Sequence, residues 1–503
     1  MKLNNKGLLN AKQWSDKGYI LPKYNREDMI KNTQNNPIWV HFGPGNIFHA
    51  YLAEIAQNAL NNGDMKSGIV CGEFYNEKLA NTIKDIDGLC IHAEIKSDGK
   101  IEKNVVASVA STYFINKDDG FESLKEVFKK PSLQFVTFTV TEKGYAFKED
   151  EDYNPEAYMA RVTACLLERY KDCNKEITML STDNCAHNGD RLKGTIKHYA
   201  ELMKAKGLCD DGFINYLDTK VSFPLSMIDK ITPGPDKNIE DLLKKDGIEG
   251  TIRFANAEET GYLVVEDKFL NGRPPLEKYG VIFADRDTVD KVEKMKVGTC
   301  LNPLHTSLAV YGCLLGYTKI FEELKDPDLV KLIKGVGYIE GLPVVENPGV
   351  LDPKEFIDTC IEKRFPNPYI PDMPQRIATD TSQKIPMRFG GTIKKYVDKF
   401  GSAKDMKYIP FVIAGWLRYL LAIDDEGKPF EPSSDPMLEE VSTYLKSVKL
   451  GDTVTDDVVH PILADERIFI VSLYDAGIAD KVLDYFNKLI KGPKAIRKEL
   501  QNL

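Results

Sequence analysis

No stretch of the sequence carries the roughly 18–20 consecutive apolar residues needed to cross a bilayer. The longest candidate, residues 410–423, contains Arg418 and reads as a buried core helix. Residues 1–14 are polar and hold no signal-peptide apolar stretch. Positive charge is also short. The 67 Lys and Arg against 76 Asp and Glu leave a formal charge of -9, which argues against a nucleic-acid partner, because neutralising phosphates needs a basic face. A cytoplasmic chain with no membrane or nucleic-acid partner is therefore expected. An anionic small molecule remains admissible, since a few buried Arg or Lys residues can serve one pocket.

Metal-binding and disulfide patterns are missing too. The nine cysteines (71, 90, 165, 173, 185, 209, 300, 313 and 360) form no CxxC pair, and an odd, scattered set is a poor disulfide framework. They read as small buried hydrophobes. The seven histidines show neither HExxH nor a His/Cys cluster at zinc spacing, so no metal is expected. There is no internal repeat or low-complexity segment. Nothing in the pattern demands a symmetric interface, so a monomer is expected.

What the sequence does contain is the balance of a globular protein, 42% hydrophobic and 28% charged, over 503 residues, which is enough for two domains. The first 35 residues look like an arm that packs elsewhere on the chain. Strand-sized apolar runs follow at residues 38–42 (IWVHF), 68–71 (GIVC), 89–95, 135–141 (FVTFTVT) and 177–181 (ITMLS). Helical patterns separate several of them, which predicts an α/β, doubly wound parallel sheet. Residues 221–227, 252–255 and 279–284 could add strands. From residue 286 onward helical patterns dominate, at 306–324, 328–339, 353–364, 387–399, 410–423, 436–446 and 476–490. The expected division is a Rossmann-like nucleotide-binding domain with its arm, 1–285, and a mainly α-helical substrate-binding and catalytic domain, 286–503.

The strongest local signal is IWVHFGPGNIF, in which Gly43 and Gly45 fall at a strand-to-helix junction. Missing side chains there let backbone amides approach a pyrophosphate, and the following helix turns its positive end toward that anion. Phe48 occupies the third position of GxGxxG, so the full fingerprint is absent. Glu73 ends the second strand, 28 residues after Gly45, where about 20 is usual. A carboxylate there would bind the adenosine ribose and repel the 2′-phosphate of NADP, which favours NAD. Thr141 and Glu142 begin TEKGY directly after the fourth strand run, at a sheet edge where cofactor contacts collect.

Three later clusters bear on the chemistry: STDNCAHNG at 181–189, KVGTCLNPLH at 296–305, and the segment 367–386 with Arg376 and Lys384. Singly each has an ordinary reading. Asn302–Pro303 has the chemistry of a plain helix start, and the charged residues could be solvated.

In order along nearly the whole chain, these segments resemble the polyol-specific long-chain dehydrogenases of the mannitol dehydrogenase family. The resemblance rests on the GxGN-type loop at Gly43–Asn46, TExGY, DNxxxNG at 183–189, FPLSMIDKITP at 223–233, the lysine–asparagine–histidine cluster and the Arg–x7–Lys pair. It implies a metal-independent mechanism with NAD. Lys296 would be the general acid or base, and Asn184 and Asn302 would hydrogen-bond the reacting oxygen. His305, Arg376 and Lys384 would hold substrate hydroxyls, and Asp229 would belong to the pocket and its proton path. The chemistry agrees, because a lysine at its ordinary pKa of ~10.4 is a poor base until desolvation or nearby cations lower it. One departure stands out: the family places its asparagine five residues after the lysine, whereas Lys296 and Asn302 are six apart. The extra residue could be absorbed before Pro303, or it could make Lys294 the better-placed amine; the spacing to Asn302 and His305 favours Lys296.

CLNPLHTSLA and AGWLRYLL, the latter soon followed by Asp-Asp-Glu-Gly, are similar to the fructuronate reductase branch. That likeness implies reduction of D-fructuronate to D-mannonate with NADH. A uronate carboxylate needs cations, and Arg376, Lys384 and Arg388 are available. Mannitol 2-dehydrogenase and tagaturonate reductase chemistry are the alternatives within the family. A nucleotide-binding regulator that has lost catalysis is the alternative outside it.

Overall fold

Six short segments pair edge to edge in one all-parallel sheet: β1 (Trp39–Phe42), β2 (Ile69–Glu73), β3 (Val109–Phe114), β4 (Phe135–Phe138), β5 (Ile177–Ser181) and β6 (Val221–Ser222). Their spatial order is β3-β2-β1-β4-β5-β6, the doubly wound arrangement in which ligands bind where the order reverses, between β1 and β4. This is a computed structural model that describes residues 1–96, 98–370 and 372–503. The chain forms two compact units, Met1–Asp290 and Lys291–Leu503.

Period-two alternation explains why helices cover both faces of the sheet. Val40, Phe42, Val70, Val136 and Phe138 join the core beneath helices Asp118–Lys129, Tyr158–Asp172 and Asn188–Ala205. Trp39, Ile69, Cys71, Phe135 and Leu180 join the core on the other face with helix Ala53–Asn61.

Several segments differ from the sequence expectation. Cys90–Ile95 is not in the parallel sheet; it lies in a four-stranded sheet between Ile101–Val106, with which it pairs antiparallel, and Phe254–Glu258. The third parallel strand is β3, whose VASTYF lacks an apolar run because an edge strand need bury only part of its side chains. The 135–141 run stops at Phe138, and Thr141 takes a left-handed φ of 67°. The 221–227 run is broken around Pro224, which has no N–H to donate, into β6 and Ser226–Asp229; the latter pairs with Tyr262–Glu266 in a separate sheet. The N-terminal arm packs through Leu3, Trp14 and Tyr19 against Ile91, Val105 and Phe254, and Tyr19–Ile20 adds a strand beside Ile101–Val106.

The second unit is mainly helical. At its centre runs helix Tyr408–Tyr419, every residue of which from Ile409 to Tyr419 is buried, Arg418 included. Arg418 donates to the carbonyls of Leu489 (3.3 Å), Ile423 (2.6 Å) and Asp424 (3.0 Å), which accounts for a charge inside an apolar run. Helix Asn302–Leu314 packs on it with the Tyr311 ring stacked on Phe411. Among the described residues no helix is long and apolar enough to cross a membrane.

One buried amide ties the first unit together at the carboxyl edge of its sheet. Asn188 Nδ2 donates to the carbonyls of Asp183 (2.9 Å) and Ser226 (3.0 Å), and its Oδ1 accepts from the Ser226 N–H (3.1 Å). Asn188→Ala orphans these buried groups and should lower unfolding free energy by roughly 2–4 kcal/mol, read from urea or thermal unfolding. A change within about 0.5 kcal/mol would show that water replaces the amide.

Candidate active site

The first unit carries the nucleotide-binding features. Gly43 ends β1 with φ of 83°, and a Cβ built there would lie 2.4 Å from the Thr139 carbonyl oxygen, so this position requires glycine. Its own carbonyl accepts from the Thr139 hydroxyl (2.8 Å) and lies 3.2 Å from His41 Nε2. At Gly45 a Cβ would meet nothing closer than the Gly43 oxygen at 3.8 Å, which leaves open space beside the loop. Asn46 starts the helical stretch 46–61 and donates through Nδ2 to the Pro233 carbonyl (3.2 Å). Phe48, at the expected third-glycine position, is fully buried and stacks on His41 at 3.9 Å. An aromatic stack thus takes the place of close glycine packing, and the helix widens there into i→i+5 hydrogen bonding over Phe48–Leu52. Burial pushes the His41 imidazole down to about 3, so it braces the loop as a neutral ring.

Glu73 is buried at the end of β2, next to the Gly43 turn, whose N–H donates to the Gly72 carbonyl (3.1 Å). One of its carboxylate oxygens accepts from the N–H groups of Tyr75 and Asn76 at 2.8 and 2.9 Å. Thr141 lies where β4 has left the sheet, its N–H donating to Asp183 Oδ1 at 2.8 Å. Glu142 is exposed and pairs with Arg191 at 2.9 Å.

Within DNxxxNG, Asp183 and Asn188 are buried and bonded to backbone, while a Cβ on Gly189 would strike the Pro224 oxygen at 2.4 Å. Asn184, between them, is exposed. Asp229 ends its strand buried, close enough to Tyr51 that burial, then Asp229, then Glu54 push that phenol upward.

Sequence reasoning misses two supports of this half. Asp183 accepts from the N–H groups of both Val140 (3.0 Å) and Thr141 (2.8 Å), clamping the loop after β4; its signal was its place at the head of DNxxxNG. Arg253 donates to the Pro44 carbonyl (3.0 Å), setting a cation against the glycine loop, and no local pattern marks it. These residues fit a dinucleotide: an open glycine loop at a helix start, a carboxylate at the end of the neighbouring strand and a nearby guanidinium.

The second unit carries the cluster around Lys296. Lys296 is buried, whereas Lys294 is exposed. Residues Lys296–Cys300 form a π-turn, closed by the Leu301 N–H donating to the Lys296 carbonyl (3.1 Å). An i→i+5 turn holds one residue more than an α-turn, which gives room inside the helix for the extra residue that the resemblance implies before Asn302. Asn302 is the first residue of the next helix, with Leu301 at the N-cap, and His305 follows one turn later on the same face.

His305 stacks on Phe365 at 5.0 Å, and its Nε2 lies 3.1 Å from Asp372 Oδ2. Arg376 donates to the other Asp372 oxygen. Burial alone would raise the Asp372 carboxyl, but His305 and then Arg376 hold it down at about 2. Asp372 thus couples two expected site residues, and its i,i+4 spacing from Arg376 was the available signal. Lys384 donates to the carbonyls of Ile377 (3.4 Å) and Thr379, and its pKa is lowered by burial, then by Arg388, despite Asp380. Arg388 donates to the Thr306 hydroxyl. Among the described residues no three His, Cys, Asp or Glu side chains form a metal-binding group.

The chain as a whole is similar to known proteins. Residues 37–278 match the mannitol dehydrogenase Rossmann domain and residues 288–489 the mannitol dehydrogenase C-terminal domain. The chain is 44% identical, over 100% of its length and 99% of the other's, to a D-mannonate oxidoreductase of Thermotoga maritima. It is 29% identical to a mannitol 2-dehydrogenase of Emericella nidulans, over 93% of this chain and 92% of that one. A solved Pseudomonas fluorescens mannitol 2-dehydrogenase, in ternary complex with NAD and D-mannitol, shares the fold at TM-score 0.73 and 24% identity, covering 100% of this chain and 99% of that chain.

Asp372 generates a pH prediction. Its folded pKa, about 2, lies below the ordinary 3.8, so its stabilising contribution is complete above that ordinary value and is lost as pH falls through about 2. Asp372→Asn should melt at a lower temperature than the wild type near neutrality, with the two curves converging toward about pH 2. A gap that stays constant on acidification would show that Asp372 acts through packing rather than charge.

Proposed function

The chain belongs to the mannitol dehydrogenase family, and we propose that it interconverts a keto-sugar acid and its hydroxy acid, D-fructuronate and D-mannonate, with NADH and NAD. The full-length 44% identity to a D-mannonate oxidoreductase carries the choice of substrate. The cations along residues 376–388 support it, because a uronate brings a carboxylate that a polyol lacks.

Bound NAD supplies the hydride acceptor in oxidation and, as NADH, the donor in reduction. Gly43, Gly45, Asn46, Glu73, Thr141 and Glu142 hold it, with Glu73 selecting the ribose hydroxyl against a 2′-phosphate. Lys296 Nζ takes the hydroxyl proton in oxidation and gives a proton to the carbonyl oxygen in reduction. Asn184 and Asn302 donate hydrogen bonds to that oxygen, where negative charge develops as the proton and hydride part company. His305, Arg376 and Lys384 hold the remaining hydroxyls, and Asp229 serves the proton path. The working form is a cytoplasmic monomer.

NADH oxidation measured on D-fructuronate, D-tagaturonate and D-fructose tests the reading. D-fructuronate should give the highest kcat/KM. A preference for fructose or tagaturonate would move the protein to mannitol 2-dehydrogenase or tagaturonate reductase chemistry. No turnover of any of them, with NADH binding intact, would make it a regulator.

For the lysine, Lys296→Ala should cut kcat by about 10²–10⁴-fold or more while NADH affinity stays within about threefold. Near-normal kcat would remove Lys296 from the proton transfer.

A further inference from the structure

Three cations, Arg376, Lys384 and Arg388, lie within thirteen residues of the helical unit, and they differ in what already neutralises them. Arg376 is spent on Asp372 and its side chain is 68% exposed. Lys384 donates to two backbone carbonyls. Arg388 is partly buried and donates to a neutral hydroxyl, that of Thr306; among the described residues no carboxylate pairs with it. Burial pushes its guanidinium down to about 10. A desolvated guanidinium without an anion is costly to keep, and the cost is relieved when a carboxylate arrives.

The position of Arg388 joins it to the reacting cluster. Thr306 comes directly after His305 and lies four residues, one helical turn, beyond Asn302. Arg388 itself sits in a π-turn, Pro386–Gly390, which packs against the π-turn that Lys296 begins. A Cβ on Gly298 would be in ordinary van der Waals contact with the Met387 oxygen at 3.4 Å, and Thr392, just past the second turn, donates to the Gly298 carbonyl at 3.0 Å. The chain thus brings a proton-transferring lysine and an uncompensated arginine onto two turns in mutual contact. With one guanidinium nitrogen on Thr306, the remaining N–H groups can still form a two-point fork on a carboxylate.

We propose that Arg388 is the specificity-determining residue that binds the substrate carboxylate, selecting a sugar acid over the uncharged ketose or polyol of the same length. Arg376 and Lys384 are left to the hydroxyls. This rests on the sugar-acid reading above, and the test separates the two.

The experiment compares kcat/KM for D-fructuronate and D-fructose, which differ in carboxylate against hydroxymethyl, in wild type, Arg388→Gln and Arg388→Lys, with NADH affinity and melting temperature as controls. Arg388→Gln should lower the fructuronate-to-fructose ratio by about 100-fold, mainly through KM, and Arg388→Lys should restore part of it. If fructose turnover is too slow to follow, calorimetric binding of D-mannonate and D-mannitol to the NAD-loaded enzyme reads the same discrimination. An unchanged ratio, whether both activities fall together or neither falls, would overturn the assignment of Arg388. A wild type that prefers fructose would instead overturn the sugar-acid reading, whatever the variants do.

Discussion

Buried polar groups must find partners, and in both units that demand decides which charged residues are structural and which are left for chemistry. Asp183 is spent on the amides of Val140 and Thr141, and Asn188 on the backbone around Ser226. Glu340 accepts the amides of Tyr408 and Ile409 at the start of the central helix, at 2.8 and 2.7 Å. Burial raises the Glu340 carboxyl, and those amides hold it back. Arg418 is consumed by three carbonyls at the other end of the same helix. Each would look like a candidate catalytic group on burial alone, yet the backbone already holds it.

The π-turns are the second recurring device. One lies behind the glycine loop, where Phe48 stacks on His41, and two carry Lys296 and Arg388. An i→i+5 turn widens the helix and turns the side chains beyond it by a fraction of a turn, so a single residue can be added without displacing the next helix. Asn302 and His305 keep a common face because they stand three residues apart in the helix that follows the Lys296 turn.

Charge in the helical unit is shared unequally. Asp372 serves His305 and Arg376 together and is held acidic by them. Lys384 is eased toward neutrality by burial and by Arg388. The cations therefore differ in their partners even though the sequence presents them as equivalent members of one segment.

Local chemistry was legible in the sequence. Gly43 could be read because a strand-to-helix turn with a left-handed residue tolerates few others, and Glu73 because a strand end sets its place along the chain. Most strands could be read from their apolar runs, and the helix around Arg418 from the apolar residues that flank it. The edge strand β3 could not, since partial burial leaves no run to see. Nor could the placing of Cys90–Ile95 outside the parallel sheet, because an apolar strand does not record its neighbour. Asp183, Arg253 and Asp372 owe their roles to partners that the fold supplies. By itself the sequence determined the alternating α/β order, the glycine turn and the residue types available for proton transfer, because these depend on neighbours a few positions away. Only the tertiary structure decided that Lys296 is buried while Lys294 is exposed, and that Arg376 is already paired while Arg388 is not. Those distinctions are set by which carboxylates and carbonyls come within hydrogen-bonding reach once the helices have packed.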